Sequence, residues 1–194
     1  MKILAICGSL REESNTNKLV AKIAESSGVE YELVYLSRLK INPCTGCGTC
    51  MMNQGKCVID DDMQGLYEQF IEADAIVVGS PTYYLDVSAA VKCVIDRSVA
   101  LNYRGIGPDY APGLPVMGQC ALAGKKGVAV TTVAGDGHKR ALETLTLWMV
   151  HSHRLDIIDT LAEVVGMDDV DDMPEVMQRA ETAGKKLGEA LNAI

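Results

Sequence analysis

Five runs of nearly unbroken apolar residues recur along this chain, and segments of helical periodicity separate them. The runs are Lys2–Cys7, Tyr31–Leu36, Ala73–Gly79, Gly127–Val133 and Leu155–Leu161. A strand that shows one face to water alternates apolar and polar residues, whereas a continuous apolar strand is covered on both faces. Helical segments at Asn17–Glu25, from Asp61 or Asp62 to about Glu72, at Val87–Leu101, His138–His151 and Pro174–Leu191 supply that cover. Five βα units in this order predict one α/β domain over residues 1–194, a doubly wound parallel sheet of five strands ordered 2-1-3-4-5.

With 194 residues the chain can bury a sizeable core as a single domain. Its net charge of −8 argues against nucleic acid and against anionic lipid. No apolar stretch approaches the roughly 20 residues of a bilayer span, and the first apolar run is too short for a secretory signal. Seven cysteines without such a signal point to a reducing cytoplasm.

Four of those cysteines fall in one loop, about Pro43–Asp60: Cys44, Cys47, Cys50 and Cys57, spaced C-x2-C-x2-C-x6-C. Three thiolates at every third position can each reach a different corner of a cubane, and Gly46 and Gly48 let the backbone wrap closely around it. The run reads as a [4Fe–4S] site. Empty thiols, a zinc or a disulfide are the alternatives; zinc usually wants a second knuckle, and this chain has none. Cys7, Cys93 and Cys120 are isolated and read as small buried hydrophobes.

Ligands of doubly wound sheets bind beyond the carboxyl ends of the strands. The first loop there, Gly8 to Thr16, opens a helix. Its free N–H groups and dipole favour a phosphate, with Ser9, Ser14, Asn15 and Thr16 as side-chain donors and Arg11 adding charge. An ordinary capping loop is the alternative, Ser14 or Thr16 being a good N-cap. The second loop carries Pro81, Thr82, Tyr83 and Tyr84, whose rings can flank a planar group or simply pack on the surface. The third, Thr131 to Gly137, offers Thr132 and Gly135 for close approach of a flat ligand, or is only a tight turn. His138, His151 and His153 lack metal-ligand company; the last two stand at a helix end, where a cation suits the dipole. Asp60–Asp62 could bind a cation but reads first as helix capping, and Asp168–Asp172 reads as a solvated loop. The segment Tyr103–Gly124 holds three prolines and five glycines with several apolar residues. Such a long irregular stretch suits a subunit interface.

Together these motifs resemble the NADPH-dependent FMN reductase-like flavoproteins, and more narrowly the iron–sulfur flavoproteins. The resemblance rests on the cysteine run, on Gly8-Ser9-Leu10-Arg11 through Ser14-Asn15-Thr16, on Ser80-Pro81-Thr82-Tyr83-Tyr84, and on Ser88, Lys92, Asp96 and Arg97 in the following helix. The third loop departs from the family pattern, reading Ala134-Gly135-Asp136-Gly137 where a Gly-Gly pair with a nearby Gln is common. The resemblance implies a flavodoxin-like fold, FMN in the three loops, and a [4Fe–4S] cluster on the four cysteines. It also implies a homodimer or homotetramer. Electrons would come from a small redox protein such as ferredoxin or from NAD(P)H. Two further readings stay open: an NAD(P)H-dependent FMN or quinone reductase without a cluster, and a non-enzymatic flavin or metal sensor.

Overall fold

The structure, a computed structural model, describes residues 1–104 and 120–193. Strand β1 (Lys2–Cys7) lies between β2 (Glu30–Tyr35) and β3 (Ala75–Tyr83), followed by β5 (Lys126–Val133) and β6 (Asp156–Val164). All four neighbouring pairs are parallel. The expected five-strand order holds. A sixth strand, β4 (Asp86–Val87), is added as an antiparallel hairpin on the end of β3.

Alternation along β1 explains the two-sided core. Leu4 and Ile6 face one layer with Ile76, Val78, Phe70 and Trp148, while Ile3, Ala5 and Cys7 face the other with Val77, Val128 and Leu187. The first layer is covered by α3 (Met63–Glu72), α4 (Ala89–Arg97) and α5 (His138–Leu147), and the second by α1 (Asn15–Ser26) and α6 (Pro174–Asn192). Each fully buried Leu, Ile or Phe contributes about 1.5–3 kcal/mol over its exposed state.

Several boundaries differ from the periodicity. The helix expected from Val87 starts at Ala89, because Val87 is spent in β4 and Ser88 caps the helix by accepting from the Val91 N–H. It ends at Arg97 and tightens into a 3-10 stretch over Ser98–Tyr103. The α5 segment closes in a π-helical turn at Trp148–Ser152. A one-turn helix, α2 (Thr49–Met52), interrupts the cysteine loop. No helix among the described residues is long and apolar enough to cross a membrane. Most of the apolar stretch Tyr103–Gly124, including Tyr110, Leu114, Val116 and Met117, lies outside the described residues. Leu122, inside them, is fully buried.

Candidate functional site

The β1–α1 loop winds around one amide. Asn17, in the first turn of α1 and buried, accepts from the Ser9 N–H at 3.2 Å. Its Nδ2 donates to the carbonyls of Ser9, Arg11 and Glu12 at 3.4, 3.1 and 3.2 Å. Ser14 is the N-cap, its hydroxyl accepting from the Asn17 N–H at 3.3 Å. Ser9 Oγ accepts from the Arg11 N–H at 3.2 Å, and Thr16 Oγ1 lies 2.6 Å from Thr132 Oγ1. Asn15 binds the carbonyl of Asp168 at 2.8 Å and the N–H of Val170 at 3.1 Å. The Asn15 amide is thus engaged in shaping the loop, whereas the Ser9 and Ser14 hydroxyls act there as acceptors and keep their O–H donors. Besides these hydroxyls, the N–H groups at the start of α1, on Asn15 and Thr16, and the exposed Arg11 can meet an anion.

Asp168, Asp169, Asp171 and Asp172 are exposed, as a solvated loop requires, and the Asn15 bonds tie the loop's backbone to the start of α1. Lys18 reaches Asp169 at 2.7 Å and Asp171 at 2.6 Å, and those bonds raise the lysine above its usual range. A cavity of about 260 Å³ opens here, between Arg11, Ser14, Asn15, Ala134 and Met167.

The second loop is strand for most of its length. Pro81 pairs with Thr132, and Thr82 and Tyr83 pair with Val87 and Asp86. Tyr84 and Leu85 make the turn with φ of 47° and 71°, a left-handed conformation that costs an L-residue about 1–2 kcal/mol. Tyr84 is nonetheless 100% exposed. Ser88 ties this loop to the first: its hydroxyl donates to the Gly8 carbonyl and its N–H to Ser80 Oγ, both at 2.9 Å. Gly8 has to be glycine, since a Cβ would stand 2.1 Å from the Gly79 carbonyl oxygen. In the third loop the close approach is taken by protein. A Cβ on Gly137 would meet Leu85 Cα at 2.7 Å, whereas Gly135 is open on all sides. Two buried polar atoms at this edge, Thr82 Oγ1 and His138 Nδ1, have no hydrogen-bond partner among the described residues.

All four clustered cysteines line one cavity of about 160 Å³, with Arg97, Val99 and Ile59. Cys44 and Cys47 are exposed, Cys50 and Cys57 half-buried. Gly46 and Gly48 adopt φ of 67° and 70°, so the wrapping conformation expected of them is present. Bonds from Thr49 and Thr45 lower the Cys47 thiol. Burial, then the charges of Cys57, Cys44 and Cys47, push Cys50 up. Among the described residues no three His, Cys, Asp or Glu side chains converge as a closed metal site would require. The donor set, four thiols around one mostly apolar hollow, fits an iron–sulfur group in number and chemistry.

Asp61, one residue before the N-cap Asp62 of α3, accepts from the Met63 N–H at 3.1 Å and forms an ion pair with Arg97 at 2.8 Å. Burial would raise its pKa, but the bonds from Arg97, Asn42 and Met63 hold it below the usual carboxylate range.

The remaining thiols and histidines divide. Cys7 is buried, which pushes its thiol up to about 12, and it is inert packing. Cys120 is not merely a small hydrophobe, since its Sγ lies 3.2 Å from His153 Nδ1. His153, read as a cation at a helix end, is instead fully buried, and burial lowers it to about 4. Its Nε2 meets Ser98 Oγ at 2.8 Å; that hydroxyl donates to Ile95, so the ring carries its proton on Nε2. Another cavity, about 530 Å³ between β2 and α3, is lined by Asp61 and Asp62 and by none of the cysteines.

Sequence reasoning passed over Asn17. Its only signal was an amide at the start of a helix after a hydroxyl-rich loop. Arg97 was noticed as part of a motif, without its partners.

A family model described as NADPH-dependent FMN reductase matches residues 1–166. An iron–sulfur flavoprotein of Archaeoglobus fulgidus is 39% identical over 140 residues, which make up 71% of this chain and 56% of that protein. The chain therefore spans little more than half the length of that relative. An iron–sulfur flavoprotein of Methanosarcina thermophila is 31% identical over 202 aligned positions, covering 100% of this chain and 97% of that protein. Among solved structures, a flavodoxin from the domain Archaea superposes with a TM-score of 0.60 at 16% identity, over 99% of both chains. At that identity the likeness concerns the fold. The chain belongs to the NADPH-dependent FMN reductase family, a family of oxidoreductases, on its iron–sulfur flavoprotein branch.

Proposed function

We propose that this protein is a redox flavoprotein that passes electrons between a [4Fe–4S] cluster and FMN. Cys44, Cys47, Cys50 and Cys57 would hold the cluster, and the loops at Ser9–Thr16, Pro81–Tyr84 and Thr132–Gly135 the FMN. The observation that carries the reading is the gathering of all four clustered thiols around one cavity, in a chain whose carboxyl edge keeps a helix N-terminus and two unpaired buried polar atoms. A cluster supplies one-electron chemistry and a flavin one- or two-electron chemistry, so the pair converts between the two.

The chain's own residues bind, orient and shield. The N–H groups of Asn15 and Thr16 with Arg11 suit a terminal monophosphate, which favours FMN over FAD. Thr82 and His138 offer hydrogen bonds to a polar ring edge, and Tyr83 and Tyr84 supply a flat apolar wall. A small redox protein such as a ferredoxin, or NAD(P)H, would exchange electrons with the pair, in a reducing cytoplasm that keeps the cysteines out of disulfides. A homodimer or homotetramer would cover the exposed Tyr84, Leu85 and Met167.

Anaerobic purification and reconstitution, followed by visible spectroscopy and iron and sulfide analysis, tests the reading. Flavin absorbance plus about four irons and four sulfides per chain is expected for a single cubane. Chromatography of acid-released flavin should give FMN. Recovery of FAD alone would overturn the flavin assignment. A second reading, an NAD(P)H-dependent FMN reductase with empty thiols, draws on the absence of a converged metal site among the described residues. It wins if reconstituted protein holds flavin and no iron.

A further inference from the structure

Arg97 is the last residue of α4 and is 1% exposed, a depth at which arginine is rare unless paired. It lines the cysteine cavity. Nη1 donates to the Asn42 carbonyl at 2.9 Å and to Asp61 at 2.8 Å. Nη2 donates to Asp61 at 3.1 Å and to the Ile59 carbonyl at 3.4 Å. Asn42 stands just before Cys44 and Ile59 just after Cys57. One side chain therefore fastens both ends of the cysteine loop.

Fastening alone does not call for a cation. Burying a charge is costly, and the neutral amide of Asn17 does the same work in the β1–α1 loop. The bidentate pair with Asp61 uses Nη1 and Nη2, which leaves Nε. That nitrogen is buried and has no hydrogen-bond partner among the described residues. An unmade buried bond of this kind is costly, and a partner from outside the protein would satisfy it. Burial opposes the guanidinium's charge, and Asp61 first, then Tyr67 and then Cys57, favour it.

We propose that Arg97 is a positioning residue of the cysteine pocket that also sets its electrostatics, offering a positive charge and a spare N–H to the sulfur of a bound cluster. The inference rests on the cluster reading of the pocket. One electron delivered to a centre held by four thiolates adds negative charge there. A fixed cation beside it stabilises that state and raises the one-electron reduction potential.

The test uses the full chain, reconstituted anaerobically. Circular dichroism and FMN content establish the fold, iron and sulfide are counted, and a dithionite titration is followed by electron paramagnetic resonance. Arg97→Lys keeps the charge without the fork, and its potential should stay within a threefold change of the reduction equilibrium. Arg97→Gln should retain iron while that equilibrium falls tenfold or more, equivalent to about 59 mV for one electron. Should Arg97→Gln fail to fold, Asp61→Asn combined with Arg97→Gln is read instead, because it buries no lone charge; a fall of threefold or more is expected. An unchanged potential in the loaded Gln variant overturns the inference and leaves the cluster reading intact. So does loss of iron from Arg97→Lys to the same degree as from Arg97→Gln, since charge would then not be what matters. A wild-type chain that takes up no iron and sulfide overturns the cluster reading and this inference with it.

Discussion

The β1–α1 loop and the cysteine loop are each fastened by one buried side chain, a neutral amide in the first and a guanidinium in the second. Asn17 reaches back at most eight residues, to Ser9, whereas Arg97 reaches 55 residues to Asn42. The local, neutral fastening leaves the field at the α1 N-terminus to the helix itself, as an anion site needs. The distant, charged fastening places a cation beside four thiols. Loops of similar purpose have thus been made rigid by means that match what each would hold.

The largest effect expected from breaking this contrast is at Asp61. Asp61→Ala leaves Arg97 buried and unpaired and should destabilise the protein by about 3–5 kcal/mol in urea unfolding. The wild-type carboxylate's pKa is held below its unfolded value of about 3.9, so its contribution is complete above that pH and fades as pH falls below it. The variant should accordingly show a shallower acid limb below about pH 4; an unchanged limb would mean that the pair is not coupled to folding.

Asn17→Ala comes next. With four hydrogen bonds at about 1 kcal/mol each, some remade to water, a loss of about 3 kcal/mol is expected. FMN retention should fall with it while iron content in anaerobic protein stays. Loss of both together would show that the two loops are not separately fastened.

Tyr84→Gly acts in the opposite direction on stability. Glycine removes the left-handed strain at φ 47°, so unfolding should become harder by about 1 kcal/mol. Flavin should nonetheless dissociate faster, measured by fluorescence on dilution, because the exposed ring is gone.

The smallest stability change belongs to Cys47→Ser. The residue is exposed and its loop is held from Arg97, so unfolding should move by less than about 0.5 kcal/mol. Iron should be lost and FMN kept, whereas Cys93→Ala should keep both. A Cys47→Ser protein with its full iron and sulfide would remove Cys47 from the ligand set.

What could be seen in the sequence follows the range of the interactions. Continuous apolar strands announce a two-sided sheet, and the cysteine spacing is local, so both are legible. The extension of β3 was hidden because Gly79-Ser80-Pro81 has turn chemistry and proline cannot donate to a ladder. Partners on β5 and β4 carry that strand to Tyr83 all the same. His153 misled because its neighbours, Ser98 and Cys120, are 55 and 33 residues away, and nothing nearby in the chain signals its burial. Arg97 sat in a recognisable motif, but its function is fixed by groups at 42, 59 and 61 that only the fold brings to it.

Helix α4 has its N-cap Ser88 bonded to the Gly8 carbonyl and its final residue in the cysteine pocket. Its nine residues, at about 1.5 Å each, make it a ruler of roughly 14 Å. Because both ends are bonded, the length and phase of this helix, rather than any loop, set the spacing of the two pockets. One residue inserted after Cys93 would turn Arg97 through about 100° and slide it about 1.5 Å, while Ser88 kept its place. The two halves of the molecule would then be out of step though each remained locally intact.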